Sequence, residues 1–164
     1  MIAYKFLRDG EVAPFTGFTW PVGEWVEADD LEFCRGGIHA CRPRDLPFWL
    51  GRHLWEIELA GEILEQERKV VAQRGRLLER LSAWTPELLD EFMDDLLRRT
   101  RRRFGAVAVA GGYVADMQRF RAQHRVGLAA LAAARAAERH AGPRAYDDER
   151  ARQARWLGER LGFR

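Results

Sequence analysis

At 164 residues the chain is long enough for one domain with a real core, or for a small domain with a helical appendage, and too short for two independent cores. A hydrophobic content of 47%, with six tryptophans and nine phenylalanines, excludes a disordered chain, and no apolar run approaches the roughly 20 residues of a bilayer span. The net charge of +2 does not by itself imply nucleic acid, although every basic side chain but Lys5 and Lys69 is arginine, and two cysteines are too few for a stapled extracellular scaffold. The first residues show no basic leader and no cleavage site, so a soluble, reduced, cytoplasmic chain is the expectation.

In chain order, Met1 to Leu7 reads as a strand, Asp9-Gly10 as a turn, Pro14 to Gly17 as an irregular connection and Trp20 to Gly23 as a second turn. Glu24 to Glu27 alternates polar and apolar, as a short half-buried strand does. Gly37 to Cys41 forms the next strand, with His39 and Cys41 on one face and Ile38 and Ala40 on the other. Pro43 and the segment Asp45 to Gly51 predict a short helix closed by Gly51. His53 to Leu59 alternates cleanly, with Leu54, Glu56 and Glu58 on one side and Trp55, Ile57 and Leu59 on the other. Lys69 to Ala72 and Arg76 to Leu81 read as two extended pieces divided by Gly75, the second of them also compatible with a helix.

From residue 85 onward the composition shifts to Ala, Leu, Arg and Glu. Thr85-Pro86-Glu87 is a helix start, with an N-cap, a proline at the first helical position and an acid in the first turn. The apolar stripe Leu88, Leu89, Phe92 and Leu96 carries that helix to Gly105. Gly111-Gly112 predicts a break or a tight helix contact; Val114 to His140 is then helical, ended by Gly142-Pro143. A last helix runs from Tyr146 to Leu161, with acids in its first turn and Arg160 in its last. The expected fold is therefore α+β: a small, mostly antiparallel sheet from a β-rich subdomain, 1–84, against a helical region, 85–164, together one domain.

The chemistry-bearing residues concentrate in the first half. Cys34, His39 and Cys41 fall within eight residues, and with His53 or a carboxylate they could make up a four-ligand zinc or copper set. The same residues suit a core cysteine pair with a hydrogen-bonded histidine, because their spacing matches no standard ligand pair. Activation of either thiol by His39 needs a third, orienting group that the sequence does not identify. Glu56 and Glu58, with Lys5 and His39, can line a polar cleft or simply a solvated strand face. Phe15, Phe18, Trp20, Trp25, Trp49 and Trp55 supply flat apolar surface for a ring, or core. The run Arg98, Arg99, Arg101, Arg102 and Arg103 suits a solvated helix end better than a phosphate track.

Tyr4-Lys5-Phe6, Gly37-Ile38-His39-Ala40-Cys41, the Asp-Leu-Pro segment and Trp55 to Gly61 resemble an uncharacterised domain family of bacterial and phage proteins, and the tail Tyr146 to Leu157 resembles its actinobacterial members. That resemblance implies a longer middle helical region and a variable residue at position 34, and it brings no known activity. The order of a Gly-x-His-Ala element, a short helix and a strand ending Glu-x-Glu-x-x-Gly is also similar to the ADP-ribosyltransferase superfamily. This similarity implies Lys5 or His39 against the cofactor and Glu58 as the carboxylate, although the superfamily's histidine, tyrosine and glutamate do not fall in order here.

Taken together, these residues point to a small-ligand domain, with a nucleotide or NAD as the first candidates and group transfer as its chemistry. Lys5, His39 and Glu58 are its candidate catalytic residues, and Trp20, Cys41 and Arg44 its candidate ligand contacts. The cofactor stays unspecified, and neither nucleic acid nor a membrane is an expected partner. The alternative is an interaction module that meets a protein or its own copy through an apolar stripe along Leu128, Leu131 and Leu157.

Overall fold

A computed structural model describes residues 1–29, 31, 36–105 and 108–163. The fold class is α+β, with an antiparallel sheet in the first half and helices in the second. The chain divides into two compact units, Met1–Ser82 and Ala83–Arg164.

The first unit carries β1 (Ile2–Leu7), β2 (Trp25–Glu27), β3 (Ile38–Ala40), β4 (His53–Glu65) and β5 (Val70–Arg80). The long hairpin of β4 and β5 is its spine. Register shifts between Trp55 and Ile57 and between Ala60 and Ile63 curl it, because an extra residue on one strand bends the ladder. Gly61, expected to end its strand, sits inside the second irregularity at φ 75°, so the strand runs on to Glu65. Gly75 likewise lies within a continuous β5, where the two expected pieces are one strand and the helical option is not taken.

β1 pairs with β4 in the register Ala3↔Ile57 and Lys5↔Trp55. On its far edge, β5 carries β3 at Val70–Ala72 and β2 at Arg74–Arg76, end to end. Tyr4 and Cys41 then exchange two backbone hydrogen bonds of 2.8 Å in an isolated bridge. Hydrogen bonding therefore runs from β1 through β4, β5 and β3 back to β1, a small closed ring. Its inner face holds Ala3, Leu7, Ile38, Ala40, Trp55, Ile57, Leu59, Val70, Ala72 and Leu77, with Trp20 packed among them.

The other face of β1 is also covered. Tyr4, Phe6, Leu46 and Leu54 are buried, and the 3-10 helix Pro43–Phe48 lies against β1. Arg42 fixes that helix from within. Its guanidinium meets Asp45, Glu65 at 2.7 Å and the Gln66 carbonyl at 2.6 Å, tying the helix to the β4–β5 turn. Gly37 opens β3 at φ 83°, with a would-be Cβ 2.4 Å from the Val71 Cγ1, so only glycine fits.

The second unit holds α1 (Pro86–Phe104), α2 (Ala108–Ala122), α3 (Val126–Ala141) and α4 (Pro143–Leu161). Thr85 caps α1 as expected, its Oγ1 accepting from the Leu88 N–H at 3.2 Å. Three expectations fail here. α2 passes through Gly111-Gly112 without interruption, since a helical glycine costs only about 1 kcal/mol. The expected helix 114–140 is instead two, divided at Gln123–Arg125, where His124 adopts φ 52°. The last helix starts at Pro143 rather than Tyr146.

Alanines 129, 130, 132, 133, 134, 136 and 137 form the buried face of α3, which neighbours each of the other three helices. Leu157 is fully buried while Leu128 and Leu131 are partly exposed, so these three do not form one open stripe. The arginine run is largely absorbed into this unit: Arg98 and Arg99 pair with Asp95, and Arg99 and Arg103 with Glu149. Among the described residues no helix is long and apolar enough to cross a membrane.

Candidate functional site

The ring of strands is incomplete on one side. In an antiparallel ladder alternate residues of a strand present their N–H and C=O to the same neighbour, so Cys41 and His39 both turn their backbone toward β1. Cys41 finds Tyr4 there. Beyond that single bridge β1 and β3 part, and the Lys5 side chain crosses the gap, its Nζ donating to the His39 carbonyl at 2.6 Å. A cavity of 340 Å³ occupies this seam. Its walls come from β1, β3, the segment 13–20, β2 and the tip of the β4–β5 hairpin.

Lys5 shares the inner face with Ala3 and Leu7, among hydrocarbon. Burial of its ammonium lowers its pKa to about 8, with Cys41 opposing slightly. The Nζ lies 5.0 Å from the centre of the Trp20 ring, a favourable face for a cation, and Trp20 meets Phe18 edge-on at 5.5 Å. Phe15, Phe18 and Trp49 continue the aromatic wall outward, and Phe15 is 86% exposed at the rim.

His39 lines the cavity and is half-buried. Its Nε2 is enclosed and has no hydrogen-bond partner among the described residues. Burial, then Lys69 and Lys5, hold its pKa below the ordinary histidine value, against a weaker opposing bond with the Gly36 backbone. The imidazole is thus neutral near pH 7, with an unsatisfied nitrogen. Cys41 also lines the cavity, its Sγ donating to the Tyr4 carbonyl at 3.3 Å. Burial, reinforced by Asp45, pushes the thiol pKa far up, so Cys41 is a small apolar wall rather than a thiolate.

Four of the six candidate residues therefore meet at one cavity: Lys5, Trp20, His39 and Cys41. Two do not. Glu58 pairs with Ile2 in the register, on the face opposite Lys5, and its carboxylate accepts from Arg76 at 2.6 Å. Arg44 is exposed, 4.0 Å from Glu65, and does not line the cavity. Cys34 lies outside the described residues, and His53 is taken up by Asp9 at 2.8 Å. Among the described residues no three His, Cys, Asp or Glu side chains gather as a metal-holding group.

Two charged wall residues escaped the sequence reading, Lys69 and Glu27. Lys69 carried a signal in being one of two lysines amid arginines; Glu27 carried none, because a carboxylate on a short strand is ordinary.

A family model described as a domain of unknown function, DUF7666, matches residues 1–88. The chain belongs to the DUF7666 family. No curated protein and no solved structure matches it. The DUF7666 match spans the whole sheet unit, every described residue of the cavity wall and the first residues of α1.

Proposed function

We propose that the DUF7666 part of this chain binds a small ligand with a flat, mostly apolar body in the seam between β1 and β3, nucleotide-like molecules being the first to try. The cavity carries this reading: aromatic walls with a few convergent polar groups are the general make-up of ligand sites, and 340 Å³ falls at the lower end of their usual size, roughly 300–1,000 Å³. That volume favours one ring system over a dinucleotide enclosed whole.

Binding has more support than transfer of an ADP-ribosyl group. The latter needs a carboxylate beside the developing cation, and Glu58 faces the other way while Glu27 is held by Arg74 at 2.9 Å. Titration of nucleotides and NAD against tryptophan fluorescence tests the reading, because Trp20 and Trp49 line the cavity. A saturable change that weakens in His39→Ala is expected. Flat curves across the panel, in a protein that retains its fold, overturn it.

A further inference from the structure

Of 27 basic side chains in this protein, Lys5 and Lys69 are the two lysines, and both stand in the wall of the same cavity. Glu27 is the one carboxylate on that wall among the described residues, and Arg74 holds it. Lys5 has no carboxylate partner among the described residues; the His39 carbonyl oxygen and the face of Trp20 compensate its charge instead. A half-buried ammonium without an opposite charge beside it is unfavourable, and the deficit is removed by whatever brings a negative charge to it. Lysine is also the fitting cation for a narrow seam, being a compact point charge on a slim stem, where arginine demands a planar fork.

We infer that the ligand of this cavity is an anion, a planar and largely apolar molecule carrying one carboxylate or phosphate group that pairs with Lys5, with Lys69 adding attraction from the wall. The inference rests on the binding reading above and gives it a charge. The anionic group sits against the inner end of the seam, and the apolar body extends along Trp20 and Phe18 toward the rim at Phe15 and Trp49. His39 also lines that wall.

Calorimetric titration of the full chain with two matched pairs tests this: naphthoate against naphthalenemethanol, and adenosine monophosphate against adenosine. The pairs separate a carboxylate source from a phosphate source. In at least one pair the anion is expected to bind about tenfold more tightly than its neutral counterpart, the scale of one charge-assisted contact. Lys5→Met, similar in length and apolar, erases that ratio, and Lys69→Met reduces it. The wild-type ratio decides without any variant, so a misfolded Lys5→Met leaves the test intact. Equal affinities within each pair overturn the anion while leaving the binding reading in place. A ratio that survives in well-folded Lys5→Met overturns the role given to Lys5. Failure of all four compounds to bind removes the inference together with the reading beneath it.

Discussion

Glu149 on α4 and Lys5 on β1 are both charged groups drawn inward, one in each unit, and their surroundings are unlike. Glu149 accepts from Arg99 at 2.9 Å and 3.1 Å, from Arg152 at 3.3 Å and from Gln153 at 3.4 Å, while Gln153 also donates to the Ala130 carbonyl at 3.0 Å. That network links α1, α3 and α4 and is built from the chain itself. Lys5 has one carbonyl and a ring, with an open cavity beside it. Arg42 shows that the difference is not one of strand against helix, since it lies in the sheet unit and is as fully engaged as Glu149. Charge met by its own chain serves the fold; the charge beside the cavity is the one the proposed ligand would answer.

Replacing Arg42 by methionine is the strongest probe of that contrast. It strands Asp45, which is 3% exposed, and frees the β4–β5 turn, so the sheet unit is expected to lose about 3–5 kcal/mol in urea denaturation. A loss below about 1 kcal/mol would place Arg42 with Lys5 instead. Glu149→Ala leaves Arg99, Arg103 and Arg152 facing one another and is expected to cost the helical unit about 3 kcal/mol, with ligand titrations on the sheet unit unchanged.

Lys5→Met is expected to move the other way, stabilising the ligand-free protein by about 1–3 kcal/mol near pH 7, because a charge with no carboxylate partner among the described residues gives way to hydrocarbon. The pH dependence sharpens this. The folded-state pKa of Lys5, about 8, lies below its ordinary value of 10.5, so between the two the unfolded chain holds a proton that the folded chain has released. Wild-type stability therefore gains from this group as pH rises across that window, by up to about 3 kcal/mol, and Lys5→Met lacks the gain. Matching slopes in the two proteins would contradict the burial of this amine. The smallest effect is local: Thr85→Ala removes the α1 cap at a cost of about 1 kcal/mol, read from the helical unit's thermal transition.

What the sequence made legible was local. Alternation along His53–Leu59 gave β4 and its faces, and Thr85-Pro86-Glu87 gave the start of α1, because each depends on neighbours a few residues apart. The ring closure depends on Tyr4 meeting Cys41, 37 residues away, and no pattern within either strand announces that pairing. The same lack of register sent Glu58 to the wrong company: alternation set it opposite Trp55, and only the pairing Lys5↔Trp55 shows that Lys5 is on Trp55's side. Arg42 and Arg44 flank one proline and look alike in sequence, yet the first is engulfed and the second is in water. The break at Gln123–Arg125 uses neither glycine nor proline, the punctuation on which a helix end is read.

The lone bridge between Tyr4 and Cys41 turns the thiol at its centre into a clock. While the strands stay joined, Sγ is shielded and protonated, and an alkylating reagent reaches it only when they part. The rate at which the Cys41 peptide gains mass in excess reagent therefore times the breathing of the barrel at its weakest point, and a guest lodged in the adjoining hollow should slow it.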